Sequence, residues 1–342
     1  MQSILWRAHS LVTIRRALPG LAALIAGLSM LCSVGAVQAQ SEWPDKPVRF
    51  ILPAAPGGAS DTIARRLAEQ LSINLKQPFV VENKPGGSGV ISVNTLLAAP
   101  ADGYTLWLGP NSTWVEAPLI VKVPFNPLED VRQIADLVEY PLVLVANPSV
   151  PARTLEELIA YIKANPGKLS VANYSTGSRS HYAGAIFNHD AGLDLQHVPY
   201  KASSFVVSDL LGGQVPLAFE LLPNVVKYVQ AGKLKAFAIL AHQRSALLPD
   251  VPTMDEKGFP NLSLLSGWLG VWVSAKMPEA LADRIHTEVV RAFGAPKIKQ
   301  FIASGTGYEL SPNKSIQEQN KVLKESFERN AATVKKFNIK VE

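Results

Sequence analysis

Cysteine is almost absent from this sequence. Among its 342 residues the one cysteine is Cys32, which lies in an apolar stretch near the start. Residues 40–342 can therefore form no disulfide, and they offer neither a cysteine nucleophile nor a cysteine-ligated metal site. A chain of this length, with 47% hydrophobic residues, can instead depend on a large buried core.

An excess of charge is also lacking. The formal net charge is +5, but three of the cations, Arg7, Arg15 and Arg16, stand in the first 39 residues. Residues 40–342 then hold 30 cations against 28 anions, a net charge of +2. A nucleic-acid-binding domain would show a basic stripe, so we exclude nucleic acid as a partner.

The first 39 residues have the pattern of a secretory signal peptide. The basic start is followed by an apolar segment over residues 18–34 and by a small-x-small cleavage pattern at residues 37–39. Pro19 and Gly20 interrupt the apolar segment, which is also short for a membrane span. We therefore expect cleavage after residue 39 and export to the periplasm; an uncleaved anchor is the alternative.

One stretch near the start of the expected mature chain organises the rest. An apolar strand over residues 48–54 runs into a Pro-Gly-Gly turn at residues 56–58, and a helix follows with Ser60 or Asp61 as N-cap. Glycines let a ligand approach the main chain closely, and the free N–H groups of a helix start favour an anion. The stretch predicts a carboxylate or phosphate site, and an ordinary strand-to-helix turn is the alternative.

The same order of strand, turn and helix recurs along the chain. Residues 84–89 form a second glycine-rich turn, and a third strand over residues 104–109 ends in Pro110. We predict an α/β fold with two lobes in a periplasmic-binding-protein clamshell, each lobe a mostly parallel sheet flanked by helices. Two hinge crossings join the lobes. Lobe 1 is expected from residues 40–142 and 264–342, and lobe 2 from residues 143–263.

Patterns for catalysis, metals and cofactors are weak. Ser178 and His181 are three residues apart at a helix start, but no third group is visible to orient the histidine ring. The other histidines are scattered, and the turn at residues 84–89 lacks the lysine ending of a phosphate loop. We predict neither enzymatic activity, nor a metal site, nor a cofactor.

Several strings in the chain carry a family likeness. They occupy residues 46–58, 80–86, 102–106, 197–201, 210–215, 231–235 and 248–253. In this order they resemble the substrate-binding receptors of tripartite tricarboxylate transporters, the Bug family. The resemblance implies a periplasmic protein that captures a small organic acid between two lobes and delivers it to membrane permease subunits. We expect a monomer.

The resemblance also implies which residues contact the ligand. In the first lobe these are Pro56, Gly57, Gly58, Ser60 and Asp61, with Ser88, Asn111, Ser112 and Thr113 lining the same mouth. In the second lobe they are Thr176, Gly177, Ser178, His181 and Glu220. Many relatives have Phe where Ala54 stands, which suggests a larger cleft or local repacking, and Asp where Glu220 stands.

Three side chains leave the ligand class open. Arg179 either faces the cleft, where it favours a dianion, or is a solvated cation at a helix start. A carboxylate at Glu220 instead favours a ligand with a hydrogen-bond donor, such as an amino acid. Trp114 either stacks on a planar acid or packs on its lobe. Two other functions stay open: a ligand sensor for a signalling partner with the same fold, and an exported hydrolase using Ser178 and His181.

Overall fold

The computed structural model describes residues 43–265 and 267–340. The expected signal peptide, residues 1–39, lies outside the described residues, as does Ser266. In these two ranges, no helix combines the length and the apolar character needed to cross a membrane.

The first part of the chain alternates strands and helices. Its elements are β1 (Val48–Leu52), α1 (Ala59–Leu75), β2 (Phe79–Asn83), α2 (Val90–Leu97), β3 (Thr105–Pro110), α3 (Ser112–Val115), α4 (Ala117–Ile120) and β4 (Val131–Glu139). Helix α1 buries Ile63, Leu67 and Leu71, which recur every four residues on one side. Its N-cap is Gly58, not Ser60 or Asp61, so both polar side chains lie within the first turn.

The middle of the chain continues the alternation. Its elements are β5 (Leu142–Ala146), α5 (Leu155–Ala164), β6 (Ser170–Asn173), α6 (Arg179–Ala191), β7 (Gln196–Pro199), α7 (Ser203–Leu211), β8 (Leu217–Leu221), α8 (Leu222–Gln230), β9 (Lys235–Leu240) and α9 (Pro260–Ser263). Every residue of β5 and β8 is buried. Strands buried on both faces read as continuous apolar runs, which is why Glu220 stands out in β8.

The last part of the chain returns to the first sheet. Its elements are β10 (Trp268–Ser274), α10 (Glu279–Phe293), α11 (Pro296–Ala303), β11 (Glu309–Leu310) and α12 (Ile316–Phe337). The final helix begins with a capping box, in which Ser315 and Glu318 each bond the other's backbone. It packs against β4, as expected for a helix that belongs to the first lobe.

The strands form two sheets, so the predicted two-lobe α/β architecture is confirmed. One sheet has the order β11-β4-β10-β3-β1-β2, and the other has the order β7-β6-β8-β5-β9. Both sheets are mixed, with most strands running in one direction, namely β1, β2, β3 and β4 in the first sheet and β6, β7, β8 and β9 in the second. β1 pairs in parallel with β2 and β3, whereas β10 runs antiparallel to β3 and β4, and β5 runs antiparallel to β8 and β9. The reversed strands β5 and β10 adjoin the crossings, where the chain changes sheets.

The two crossings lie side by side. Tyr140 and Pro141 connect β4 in the first sheet to β5 in the second, and the stretch after α9 leads back to β10. The Tyr140 N–H donates to the Gly267 carbonyl over 3.3 Å. This hydrogen bond ties the outward crossing to the return crossing.

Candidate functional site

A cleft of about 750 Å³, including space open to solvent, lies where the loops of the two sheets meet. Eight of the predicted ligand-contacting residues line it. They are Gly58, Ser60, Ser88, Ser112, Thr113, Thr176, Gly177 and Ser178. The predicted residues Pro56, Gly57, Asp61, Asn111, Trp114, Arg179, His181 and Glu220 do not line it.

Several lining residues were not predicted as ligand contacts. They include Tyr140, Tyr174, Ser175, Lys201, Ala202, Ser203, Ser204, Leu221 and Asn224. Most of these stand at the starts of α7 and α8. The rule that singled out residues 56–61, a strand followed by a turn and a helix start, would have found them if it had been applied to these two helices as well.

Helix starts surround the cleft. The N-cap residues of five helices, three of them in the second lobe, line its wall. They are Gly58 for α1, Gly89 for α2, Ser178 for α6, Ala202 for α7 and Leu221 for α8. The first turn of a helix presents unpaired N–H groups and the positive end of the helix dipole. The cleft is therefore electropositive without needing many cations.

Formal charge is scarce in the lining. Within the described part of the chain, no aspartate or glutamate lines the cleft, and Lys201 is the one charged residue that does. The remaining wall consists of small apolar residues, hydroxyls, one amide and two tyrosines. Such a surface can bind a carboxylate without a competing negative charge.

The buried carboxylate of Asp61 holds the first turn through hydrogen bonds. Its carboxylate accepts hydrogen bonds from the Gly57 N–H (2.9 Å), Arg65 Nε (2.8 Å) and Asn83 Nδ2 (2.8 Å). Burial opposes its ionisation, but these three hydrogen bonds lower the pKa of Asp61 below its ordinary value. The N–H of Gly57 is thereby occupied, and the side chain of Asp61 holds the turn in place.

Ser88 occupies a strained position in the second turn. Its φ of 53° lies in the left-handed region, between glycines of positive φ. The third turn packs against the neighbouring Gly89, since a Cβ at Gly89 would lie 2.6 Å from Thr113 Cγ2. Glycine at this position allows the second and third turns of the first lobe to approach each other along the cleft wall.

Asn111 and Trp114 belong to the interior of the first lobe. Asn111 Oδ1 accepts from the Trp268 N–H (3.1 Å), which joins β10 to the third turn. Trp114 is fully buried, with its ring 4.9 Å from that of Trp107 and 5.6 Å from that of Phe125. The structure therefore places the indole in the aromatic core and not against the cleft, which corresponds to the packing alternative.

Ser178 and His181 support the second-lobe turn. Ser178 is the N-cap of α6, and its Oγ accepts from the His181 backbone N–H (3.4 Å). The Nδ1 of His181 accepts from the Gly177 N–H (3.3 Å). Burial, with a smaller contribution from His197, lowers the pKa of His181 to about 4, so the ring is neutral at pH 7. Among the described residues, no hydrogen bond joins Ser178 Oγ to the His181 ring, which is the contact a nucleophile and base would need.

Arg179 lies at the crossings. It is fully buried, in contrast to both expectations, because its guanidinium is enclosed by the two connecting segments. Nη1 donates to the carbonyls of Tyr140 (3.4 Å) and Leu265 (3.2 Å), and the guanidinium carbon is 4.9 Å from the centre of the Tyr140 ring. A Cβ at Gly267 would lie 1.9 Å from that carbon, so the return crossing has no room for a side chain.

Glu116 is a buried acid that interacts electrostatically with Arg179. Burial raises the pKa of its carboxyl to about 8, against the opposing influence of Arg179 and Arg329. Its carbonyl accepts from the Tyr182 hydroxyl of α6 over 2.9 Å. Glu116 thus connects the loop after β3 in the first lobe to a helix of the second lobe.

Glu220 lies directly behind the second-lobe wall. Its Oε1 accepts from Ser203 Oγ, from the Leu221 N–H (2.7 Å) and from Asn224 Nδ2 (3.2 Å), and all three donor residues line the cleft. Burial raises the pKa of Glu220 to about 7, although these hydrogen bonds favour the ionised form. The carboxyl is thus partly protonated at neutral pH and orients the residues that face the cleft.

Small residues from the two lobes lie against each other beside the cleft. A Cβ at Gly177, in the second lobe, would lie 2.8 Å from the Cα of Ala117 in the first lobe. Ala54, where many relatives are expected to carry Phe, lines the cleft. A larger side chain at that position would extend into the same space.

Comparisons with known proteins agree with this geometry. A family model described as the tripartite tricarboxylate transporter family receptor matches residues 63–339. The protein BugT of Bordetella pertussis is 38% identical over 270 residues, which span 75% of this chain and 82% of BugT. The solved structure of the periplasmic binding protein BugD has a TM-score of 0.82 at 30% identity, covering 88% of this chain and 100% of BugD. MatC from Rhodopseudomonas palustris with bound malate has a TM-score of 0.81 at 27% identity, covering 85% of this chain and 100% of MatC.

Proposed function

We propose that this chain, which belongs to the tripartite tricarboxylate transporter receptor family of Bug-type solute-binding proteins, captures a small organic acid in the periplasm. The acid is held between the two lobes and is then delivered to permease subunits in the membrane. The chain acts as a receptor and does not transform its ligand.

One observation carries the ligand class: five helix N-caps line a cleft that no carboxylate of the described residues enters. A single helix N-terminus stabilises an anion by about 0.3–1 kcal/mol, and hydrogen bonds to a charged acceptor contribute more. Several such helix starts lining one cleft therefore favour a carboxylate. Lys201 adds one flexible cation at the second-lobe wall.

The position of Glu220 does not favour an amino-acid ligand. The amine of such a ligand would need an ionised carboxylate facing the cleft. Glu220 is fully buried behind Ser203 and Asn224, and burial raises its pKa to about 7. A relative, MatC, has been solved with malate. We infer that an acid without an amine is the better fit for this cleft.

Ligand screening tests the proposal. The expected mature protein, residues 40–342, is heated with malate, adipate, citrate, benzoate, nicotinate and aspartate in separate samples. A ligand that binds the folded state raises the melting temperature in proportion to the logarithm of its concentration. We expect at least one acid without an amine to do so, and a flat response to every acid would contradict the proposal.

A charge introduced at Ser88 tests the carrying observation. Aspartate and asparagine both tolerate the left-handed backbone found there, so the two variants differ mainly in charge. Ser88→Asp should weaken binding of the acid by about tenfold or more, because it places a carboxylate among the helix starts. Ser88→Asn should retain affinity within a few-fold. Equal affinities for the two variants would show that electropositive helix ends do not select the ligand.

Delivery to a permease needs a cellular measurement. Uptake of the radiolabelled acid is compared in cells with the receptor, cells without it, and cells that produce the Ser88→Asp variant. If the receptor serves transport, only the cells that produce the native receptor should take up the acid. A signalling receptor would instead leave uptake unchanged when the gene is removed.

A further inference from the structure

Glu116 is a buried acid that lies behind the first-lobe wall of the cleft. It joins α3 to α4 in the connection that follows β3 of the first sheet, and it is 1% exposed. Its sequence neighbours Ser112, Thr113 and Ala117 all line the cleft. A change in the charge of Glu116 would therefore act directly beneath the surface that a ligand would touch.

The carboxyl of Glu116 has little to stabilise a negative charge. Its Oε2 is buried and accepts no hydrogen bond from the described residues. No cationic side chain of those residues lies within ion-pair distance of it. Burial raises the pKa of this carboxyl to about 8, although Arg179 and Arg329 act in the opposite direction. A proton on the carboxyl avoids the cost of a buried charge without a partner.

Groups from both lobes surround this carboxyl. Tyr182, on α6 of the second lobe, donates its hydroxyl to the Glu116 carbonyl over 2.9 Å. Helix α12 of the first lobe packs against α3, α4 and α6. The charged and titratable groups of the described residues that interact electrostatically with the carboxyl are Arg179, Arg329, Tyr140, Tyr174 and Tyr182. The surroundings of Glu116 therefore depend on how the two lobes are placed.

Glu220 is a second buried acid, and its surroundings differ in this respect. The residues that donate hydrogen bonds to it, Ser203, Leu221 and Asn224, all belong to the second lobe. A movement of one lobe relative to the other leaves these contacts in place. Glu220 is therefore the natural comparison for Glu116, whose contacts cross between the lobes.

We propose that Glu116 takes up a proton when the lobes close on a ligand and releases it when they open. Opening withdraws α6 from the first lobe, which admits water to the carboxyl and favours its ionised form. On closure the carboxylate binds a proton supplied by the solvent. This inference depends on the proposed function, since it needs closure around a bound acid. Ligand affinity is thereby linked to the pH of the periplasm.

Affinity should fall as the pH rises. In the closed protein the pKa of Glu116 is about 8, and in an open protein with a hydrated carboxyl it would approach its ordinary value of 4.5. Between these two values closure binds a proton, and above pH 8 it binds progressively less. The affinity for the acid should therefore be about tenfold lower at pH 9 than at pH 7.

Titration calorimetry measures both the affinity and the proton. The expected mature protein is titrated at pH 7 and pH 9 with malate, adipate, citrate, benzoate and nicotinate. At pH 7.5 each titration is repeated in HEPES and in Tris, whose ionisation enthalpies differ. The buffer dependence of the heat should correspond to about 0.8 proton taken up by Glu116 per ligand bound. Equal heats in the two buffers would overturn the inference.

The variant Glu116→Gln isolates this residue. Glutamine has nearly the same size and cannot ionise, so its affinity should agree within about twofold at pH 7 and pH 9. Subtracting its heats from those of the native protein also cancels protons taken up by the ligand. Glu129→Gln, at an exposed position outside the cleft, and Glu220→Gln should both keep the native pH dependence. Circular dichroism and melting temperature verify that each variant folds.

Arg329 provides a test that leaves the acid in place. It is exposed on α12 and favours the ionised form of Glu116. Arg329→Gln should therefore move the fall in affinity to higher pH, by about 0.3 of a pH unit or more. Lys324→Gln, at an exposed position on the same helix, should leave it unchanged.

The outcomes separate this inference from the proposed function. An acid that binds with the same pH dependence to the native protein and to Glu116→Gln overturns the proton uptake and leaves the receptor function intact. If none of the five acids binds at either pH, the proposed function fails and this inference fails with it.

Discussion

The lining of the cleft and the layer of side chains directly behind it have opposite chemistry. The lining is made of small residues, hydroxyls and helix starts, with Lys201 as its one charged group among the described residues. The layer behind contains Asp61, Glu116, Arg179, His181 and Glu220, all buried. The residues with strong acid–base character thus support the surface that the ligand would touch.

This difference explains how a nearly neutral surface can be kept in a defined shape. Asp61 holds the first turn through Gly57, His181 holds the second-lobe turn through Gly177, and Glu220 orients Ser203 and Asn224. Each charged or titratable group therefore acts through an intermediate residue. We expect substitutions behind the lining to change stability most and affinity second.

The largest effect is expected at the crossings. Arg179→Ala removes donors to two carbonyls on different crossing segments and leaves a void, so it should lower the free energy of unfolding by about 3 kcal/mol. Urea titration followed by tryptophan fluorescence measures this change. Arg153→Ala, at an exposed position, is the control and should stay within about 0.5 kcal/mol of the native protein. Equal effects at the two sites would contradict a structural role for the buried cation.

A somewhat smaller effect should appear as a dependence on pH. Because the pKa of His181 is lowered from 6.5 to about 4 by burial, the unfolded chain binds this proton more tightly than the folded chain does. Stability from His181 is therefore complete above pH 6.5 and is lost as the pH falls towards 4. At pH 5 the loss should be about 2 kcal/mol.

The variant His181→Gln isolates that contribution. Glu116 and Glu220 titrate in the opposite direction, since burial raises the pKa of both carboxyls and their stability is lost as pH rises. The difference in urea stability between native protein and His181→Gln should shift by about 2 kcal/mol between pH 8 and pH 5. A constant difference for His181→Gln would contradict a neutral buried ring.

The smallest effect concerns the second-lobe wall. Glu220→Ala removes the acceptor that Ser203 and Asn224 share, so affinity for the bound acid should fall by about tenfold, or about 1.4 kcal/mol. Glu220→Gln keeps an acceptor oxygen and should retain most of the affinity. Titration calorimetry with the tightest-binding acid of the screen measures both. Equal losses with glutamine and alanine would contradict this role, because both variants lack the charge and only glutamine keeps an acceptor oxygen.

Sequence patterns were sufficient for the architecture because long apolar runs and glycine-rich turns are local features. The three turns at 56–58, 84–89 and 110–113 each end a strand of the first sheet, and residues from all three line the cleft. The antiparallel placement of β5 and β10 could not be read in the same way. It depends on where the chain crosses between sheets, which is a non-local property.

The sequence predicted which segments line the candidate cleft, but not which of their side chains do. Thr113 and Trp114 are neighbours in sequence, but one lines the cleft and the other is buried among Trp107, Phe125 and Trp272. Likewise Ser178 faces the cleft while Arg179 is enclosed by the crossings. Which way a side chain points at a helix start depends on the packing around it, and a single sequence does not contain that information.

Gly177 of the second lobe lies against Ala117 of the first lobe, where a Cβ on the glycine would come within 2.8 Å of the Ala117 Cα. With no side chain on one partner and a methyl group on the other, the main chains themselves are the contacting surfaces. The spacing of the lobes at this contact is therefore set by main-chain atoms, whichever acid is bound. A larger or smaller ligand must then be accommodated at other positions along the cleft.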